Sequence, residues 1–354
     1  MKAKRRTVII TIVLLAIGVL VGGVLYYQYQ CPRLYRVTIL PSLGGKTMPT
    51  AMNDRGQVVG YSQMDDGEFH AFLWDRRHGM EDLGVLKGSL DINNAGWITG
   101  AIRDANGCEQ AFIRDPNGAR QFLGDLGDGK SWAISLNDRC QAVGESEAAN
   151  GSRHAFFWER ATGIRRIVAL TGKDNHVRTI NNAGLVLGIA DMETQPNQRF
   201  LWDSNNGVGT VAPPFVQSKV CDLNNRSQFL GLHRNSKQEV HMVLWRQETG
   251  IERLFHFEGA TDLPAGVNDA NQVVYEERLP SRWEWFDRSL SRWVLWDPNR
   301  GKIDLNRYLP RRWRESFWVC DINEKGWIVG GAVKGKQGDV ATFLLEPIAE
   351  KWER

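Results

Sequence analysis

Beyond residue 30 the chain has no stretch in which apolar residues keep a 3.6-residue spacing over ten positions, so helices are not expected there. It has no Gly-x-Ser-x-Gly elbow, phosphate-binding loop, His-Glu-x-x-His pair or calcium loop, which removes the reactions that spacing alone identifies. Cysteines are few, at positions 31, 108, 140, 221 and 320, with no Cys-x-x-Cys pair or other ligand-like spacing. An odd number cannot all pair. Free, mostly buried thiols are the expectation, a single disulfide the alternative, and a disulfide framework is excluded. A basic surface is missing too. The net charge is +3, but the first six residues carry +4, so the remainder sums to −1 and nucleic acid is not an expected partner.

The one long apolar run lies at the start. Lys2, Lys4, Arg5 and Arg6 precede a stretch from Thr7 to Pro32 without a charged side chain. Its most apolar part, Val8 to Tyr27, would span roughly 30 Å as a helix, enough to cross a bilayer core. Basic residues before it favour a cytoplasmic N-terminus, and Tyr26, Tyr27 and Tyr29 sit where an interfacial aromatic belt would lie. The expected organisation is a cytoplasmic basic tail (1–6), a transmembrane signal-anchor helix (7–29) and an ectodomain (30–354), periplasmic or extracellular. A cleaved signal peptide is the competing reading, but the run ends in bulky residues and not in a small-x-small site.

What the chain has in quantity is glycine, 36 residues spread throughout, and tryptophan, 14 residues. Both follow from a repeat whose clearest copy is Ile92-Asn93-Asn94-Ala95-Gly96-Trp97-Ile98-Thr99-Gly100. Its anchoring asparagine recurs at Asn53, Asn93, Asn137, Asn181, Asn224, Asn268 and Asn323, at spacings of 40, 44, 44, 43, 44 and 55 residues. In each copy a short alternating segment such as Ser89-Leu90-Asp91-Ile92 runs into the turn. An apolar strand such as Gln57-Val58-Val59-Gly60 leaves it, a third strand follows, as in His70-Ala71-Phe72-Leu73-Trp74, and a fourth such as Met80-Glu81-Asp82-Leu83 closes the unit. Four short strands per ~44 residues with turn residues at each reversal predict one propeller blade per copy. Seven copies predict an all-β, seven-bladed propeller of four-stranded antiparallel blades. The last copy stops after Thr342-Phe343-Leu344-Leu345, and the spare strand Leu34-Tyr35-Arg36-Val37-Thr38-Ile39 is expected to complete it, hiding the sheet edges.

The phrases Asn-Asn-x-Gly, Val-Val-Gly and His-Ala-Phe-Leu-Trp followed by Asp82-Leu83-Gly84 resemble the HAF-type extracellular repeat family over nearly the whole ectodomain. The His-Ala-Phe tripeptide itself stands only at 70–72 and 154–156. The resemblance implies an exported bacterial propeller and no particular activity.

Residues present in every copy are read first as structural. Asn and Asp bond to nearby backbone in the turn, and Gly56, Gly96, Gly184 and Gly326 supply positive φ. Cys140 stands where these copies have glycine. Trp74, Trp158, Trp202, Trp245 and Trp296 are expected between blades. His70, His154 and His241 share one repeat position but fall on blades one, three and five, too far apart for a shared metal. Two residues before the asparagine stand Asp91, Ser135, Thr179, Asp222 and Asp321. Asp91, Asp222 and Asp321 are the channel candidates for a cation; a local side-chain bond within the turn is the plainer reading. No cofactor is expected.

Copy six breaks the pattern. It carries about eleven extra residues before its third strand, and the stretch 278–314 holds ten Arg or Lys against four acids. Arg282, Trp283, Trp285, Arg288, Arg311, Arg312, Trp313 and Arg314 are the binding candidates, because Arg and Trp side by side stack on sugars, pair with carboxylates or anchor a protein. In a meander the loop after the second strand and the link to the next blade emerge at the same end. The functional expectation is a membrane-tethered binding or scaffolding module for a protein or envelope glycan. The alternatives are a glycan-acting hydrolase or lyase, which would need carboxylates converging on one cleft near Asp91, Asp222 or Asp321, and a structural envelope protein without a discrete site.

Overall fold

A computed structural model of the chain describes residues 34–348, apart from 105–106, 128, 169–173, 192–197, 208, 212–219, 235–236, 238, 247, 256–262, 279–290 and 335–337. The expected transmembrane helix and Cys31 lie outside the described residues, among which no helix is long and apolar enough to cross a membrane. One compact body comprises 37–345; the described residues 34–36 and 346–348 belong to a second small unit, in which the Ile348 amide donates to the Leu34 carbonyl.

Seven four-stranded antiparallel sheets follow one another, six of them in plain sequence order. They span 47–84, 87–122, 130–166, 174–211, 220–255, 263–304 and, for blade seven, 317–347 together with Tyr35–Ile39. In the seventh sheet Tyr35–Ile39 is the outermost strand, beside Asp339–Pro347, as the spare N-terminal segment predicted. The Leu40 amide extends that pairing by donating to the Thr342 carbonyl at 2.9 Å. No α-helix occurs among the described residues; two 3₁₀ turns, Asn306–Tyr308 and Arg311–Ser316, occupy the link from blade six to blade seven.

The repeat pattern explains the packing. Third strands alternate small and large apolar residues, and the tryptophans of blades one, three and four cover the blade before. Trp202 of blade four lies 5.3 Å from Phe157 of blade three. Trp158 packs with Ala111 and Ile113 of blade two, and Trp74 of blade one with Val329 and Leu344 of blade seven. Blades are thus joined by apolar seams between faces that are themselves buried, such as Phe72, Phe112, Phe156 and Phe343, all fully covered. Cys108, Cys140 and Cys320 are free thiols.

All seven blades share an irregularity that the sequence did not announce. The pairing of the inner strand with the second strand slips between Pro49 and Ala51, Lys87 and Asp91, Ala133 and Ser135, Val177 and Thr179, Val220 and Asp222, Pro264 and Gly266, and Val319 and Asp321. A bulge re-aims the residue that follows it. Here that residue is always the one two places before the asparagine.

Candidate functional site

The propeller has two unlike ends. The asparagine turns, joining first to second strands, mark the turn end; the loops between second and third strands and the links between blades mark the link end.

At the turn end the seven asparagines do more than shape their own turns. Each side-chain oxygen accepts two local amides, as Asn137 Oδ1 does from Arg139 and Gln141 at 3.0 Å. Each side-chain amide then crosses the seam to the asparagine carbonyl of the next blade. Asn53 donates to Asn93 at 2.9 Å, and Asn93, Asn137 and Asn181 donate in turn to Asn137, Asn181 and Asn224 at 3.0 Å. Asn224 donates to Asn268 at 3.1 Å, Asn268 to Asn323 at 3.0 Å, and Asn323 returns to Asn53 at 3.0 Å. The turn reading of these residues therefore needs an addition: they are a closed, buried belt. Around it runs a second, more exposed series at the next position. Backbone amides of Asp54, Asn94, Asp138 and Asn182 donate to side-chain oxygens of Asn94, Asp138, Asn182 and Asn225, and that of Glu324 to Asp54.

Inside the belt the bulges turn Asp91, Asp222 and Asp321 toward the channel. The plainer reading of these residues, a bond confined to their own turn, is incomplete. Asp91 Oδ2 accepts from the Leu136 amide of blade three at 3.0 Å, Asp222 Oδ2 from Val267 of blade six at 2.9 Å, and Asp321 Oδ2 from Met52 of blade one at 2.9 Å. Asp91 Oδ1 also takes its neighbour Ile92 at 2.8 Å. The residues facing these aspartates from the next blade are small: Ser135, Gly266 and Ala51. At Gly266 a Cβ would lie 3.6 Å from the Asp222 carboxylate and 3.1 Å from Ile322.

All three aspartates line one cavity of about 180 Å³, with Asp54, Asp138, Glu324 and the turn asparagines around it and no lysine, arginine or histidine in its wall. The side chains touch cavity space yet lie deep in protein. Burial lifts the Asp321 carboxyl to about 7, with Asp222 and Asp91 adding to the rise. Burial likewise lifts Asp222 to about 6, and raises Asp91 despite its bonds to Leu136 and Ser135. Glu324 at the rim is pushed to about 7 by burial and by Asp269 and Asp54. Among the described residues no group of three or more His, Cys, Asp or Glu side chains is arranged to hold a metal ion. His70 and His154 find partners within their own blades, Asp82 at 2.9 Å and Arg166 at 3.0 Å.

Of the Arg/Trp candidates, Arg282, Trp283, Trp285 and Arg288 lie outside the described residues. The described part of the Arg/Trp group belongs to the link 305–316, twelve residues where the other links have two to eight. Two of its four candidates serve the link itself. Trp313 is 6% exposed and meets Phe343 edge-on at 5.4 Å. The Arg314 guanidinium donates to the carbonyls of Leu309 at 2.8 Å and Arg307 at 2.9 Å. Asn306 completes the clasp, accepting from the Trp293 amide at 2.7 Å and donating to the Arg314 carbonyl at 2.6 Å. Trp313 turns inward because 3₁₀ spacing puts it between Arg312 and Arg314 on the core side of a short turn. Arg311 and Arg312 remain exposed, with the Arg312 guanidinium 5.9 Å from the Trp313 ring centre.

Sequence reading missed a second feature of the link end. The exposed large apolar side chains among the described residues are Ile39, Phe69, Val85, Phe122, Val168 and Ile251. Ile39 and Phe122 end outer strands, Phe69 begins a third strand, and Val85 and Val168 lie in links. All five therefore sit at the link end, over blades seven, one, two and three. Only Ile251, just after a third-to-fourth strand turn, sits at the other end.

A closed ring of seven four-stranded antiparallel sheets defines the chain as a seven-bladed β-propeller. The β-propeller domain of the Trilobed protease from Pyrococcus furiosus, described as having an open velcro topology, is similar over 84% of this chain and 95% of its own, with a TM-score of 0.59 at 9% identity. Oligogalacturonate lyase in complex with manganese gives a TM-score of 0.58 at 9% identity over 91% and 98%. The acylaminoacyl peptidase of Pyrococcus horikoshii gives 0.57 at 9% over 85% of this chain and 51% of the peptidase. At such identities the likeness is one of fold alone. No protein-family model and no curated protein matches the sequence.

Proposed function

We propose that the chain is a binding or scaffolding module held at the membrane by its N-terminal apolar segment, with the propeller outside the cytoplasm. Its link end receives a protein partner that offers apolar side chains and carboxylates. The observation that carries this reading is the unequal distribution of exposed apolar residues, five of six at one end. Scattered apolar side chains are ordinary on a soluble surface, but their gathering on consecutive blades marks a contact surface. Arg311 and Arg312 stand at the same end on a link braced from within, so little side-chain order is lost when they pair with carboxylates. The resemblance to HAF-type repeats and the basic-then-apolar N-terminus support export and anchoring.

The test is capture of envelope proteins by the full-length chain in detergent. Phe122→Ser, Val168→Ser, Arg311→Ala and Arg312→Ala, combined, leave the fold unchanged and abolish capture of the partner that the parent binds. Undiminished capture, or binding to envelope glycan or anionic vesicles in place of protein, overturns the assignment. A second reading, an enzyme acting on an envelope polymer, draws on the three carboxylates of the channel cavity. Its weakness is that each of the three already commits an oxygen to a backbone amide of the next blade. Polymer cleavage abolished by Asp321→Asn would favour it.

A further inference from the structure

We propose that the turn end of the propeller is a proton-controlled fastening. The carboxylates of Asp91, Asp222 and Asp321 share one cavity and each grips the following blade, so the seams two–three, five–six and seven–one hold while the cluster keeps protons and loosen when it is fully ionised.

The geometry is the first support. A carboxyl needs only one oxygen to accept the amides of Leu136, Val267 and Met52, so protonation on the other oxygen leaves all three seam bonds in place. The charges facing the cluster are the second. Asp138 stands near Asp91, and Asp91 and Asp222 act on Asp321. Asp54 and Asp269 act on Glu324 at the rim, and the Cys320 thiol beside Asp321 stays neutral, pushed up to about 12 by burial. Arg178 acts on the group in the opposite sense, through Asp222. Ionising all three aspartates therefore adds like charges around a polar cavity whose wall holds no lysine, arginine or histidine.

The sign follows. These groups titrate in the unfolded chain near 3.8 and in the folded one at about 6 for Asp222 and about 7 for Asp321. Groups raised on folding contribute stability that is complete below the unfolded value and lost as pH climbs through the folded values. The propeller is thus firmer at pH 5 than at pH 8, and its weakest seams are the three that carry aspartate.

Thermal melting of the full-length chain in detergent from pH 5 to pH 8, with hydrogen exchange corrected for intrinsic rate, tests this. The expected parent result is a melting temperature that falls most steeply from pH 5 to about 6 and levels off above about pH 7, while the amides of Met52, Leu136 and Val267 become about tenfold less protected. Asp321→Asn keeps an acceptor and cannot ionise, so it flattens the fall and preserves protection at Met52. Asp222→Asn does the same at Val267 and provides the test should Asp321→Asn fail to fold. Asp66→Asn, at an exposed loop, leaves the parent profile intact. A parent whose stability does not fall with pH, or Asn variants that fall as the parent does, overturns the proposal.

Discussion

Replacing Asn137 by alanine isolates the worth of one link in the buried belt. Asn137 is 3% exposed, and its side chain satisfies the Gln141 amide and the Asn181 carbonyl in addition to the exposed Arg139 amide and the Gln141 side chain. Truncation leaves the Gln141 amide buried without its acceptor, while the Asn181 carbonyl keeps the Gly184 amide at 2.9 Å and the Arg139 amide turns to water. One orphaned amide at about 1–3 kcal/mol and one lost seam bond at about 0.5–1.5 kcal/mol put the loss at roughly 1.5–4.5 kcal/mol. For a domain of this size that is a fall of about 3–9 °C in melting temperature. Asn182→Ala is the matched control, one residue into the neighbouring turn. Its bonds to Asp138 lie where water reaches, and its loss should stay below about 1 kcal/mol. Calorimetry of both variants against the parent decides the matter, with hydrogen exchange at Asn181 and Leu185 reporting whether the far side of the seam has opened. A melt of Asn137→Ala within about 2 °C of the parent, or equal losses in the two variants, would refute the account of the belt as a stabilising seam.

Two further predictions separate scaffold from surface. Trp313→Ala should cost about 3–5 kcal/mol, because it empties the space against Phe343, whereas Arg312→Ala should change unfolding free energy by less than about 0.5 kcal/mol; equal effects would mean the link is not braced as described. Cys140 has φ of 56° at the position where Gly56, Gly96, Gly184 and Gly326 lie between 71° and 86°. Left-handed backbone is costly for a residue with a Cβ, so Cys140→Gly should gain roughly 0.5–1 kcal/mol in denaturant melts; a loss would show that the thiol contributes more than the backbone strain removes.

Blade number, strand order and ring closure could be read from Asn53 to Asn323 and from the spare strand at 34–39 because each depends on local turn chemistry and on counting. The seam bonds could not. Nothing in Asn93-Asn94-Ala95-Gly96 says that the amide of Asn93 reaches the Asn137 carbonyl; that needs the radius of a seven-membered ring. Asp91, Asp222 and Asp321 were conspicuous by repeat position, but the bulge that aims them arises from pairing between strands and leaves no mark on residue type. The link is illegible for a different reason. Arg311-Arg312-Trp313-Arg314 looks like a surface patch in one dimension, and only the 3₁₀ turn divides it into two exposed cations, an inward ring and a clasp. Ile39, Phe122 and Val168 carry no mark in the sequence, because an apolar residue at or just beyond the end of a strand reads as core until its exposure is known.

The central claim is that the link end, and not the turn end, meets the partner. Photo-cross-linking residues placed at Phe122 and at Val168 test it against one placed at Ile251, each in the full-length chain in its native membrane. The account predicts a common cross-linked protein from Phe122 and Val168, lost when Arg311 and Arg312 are both changed to glutamate, and no such product from Ile251. Cross-links that form from Ile251 alone, or equally from all three positions, would contradict it.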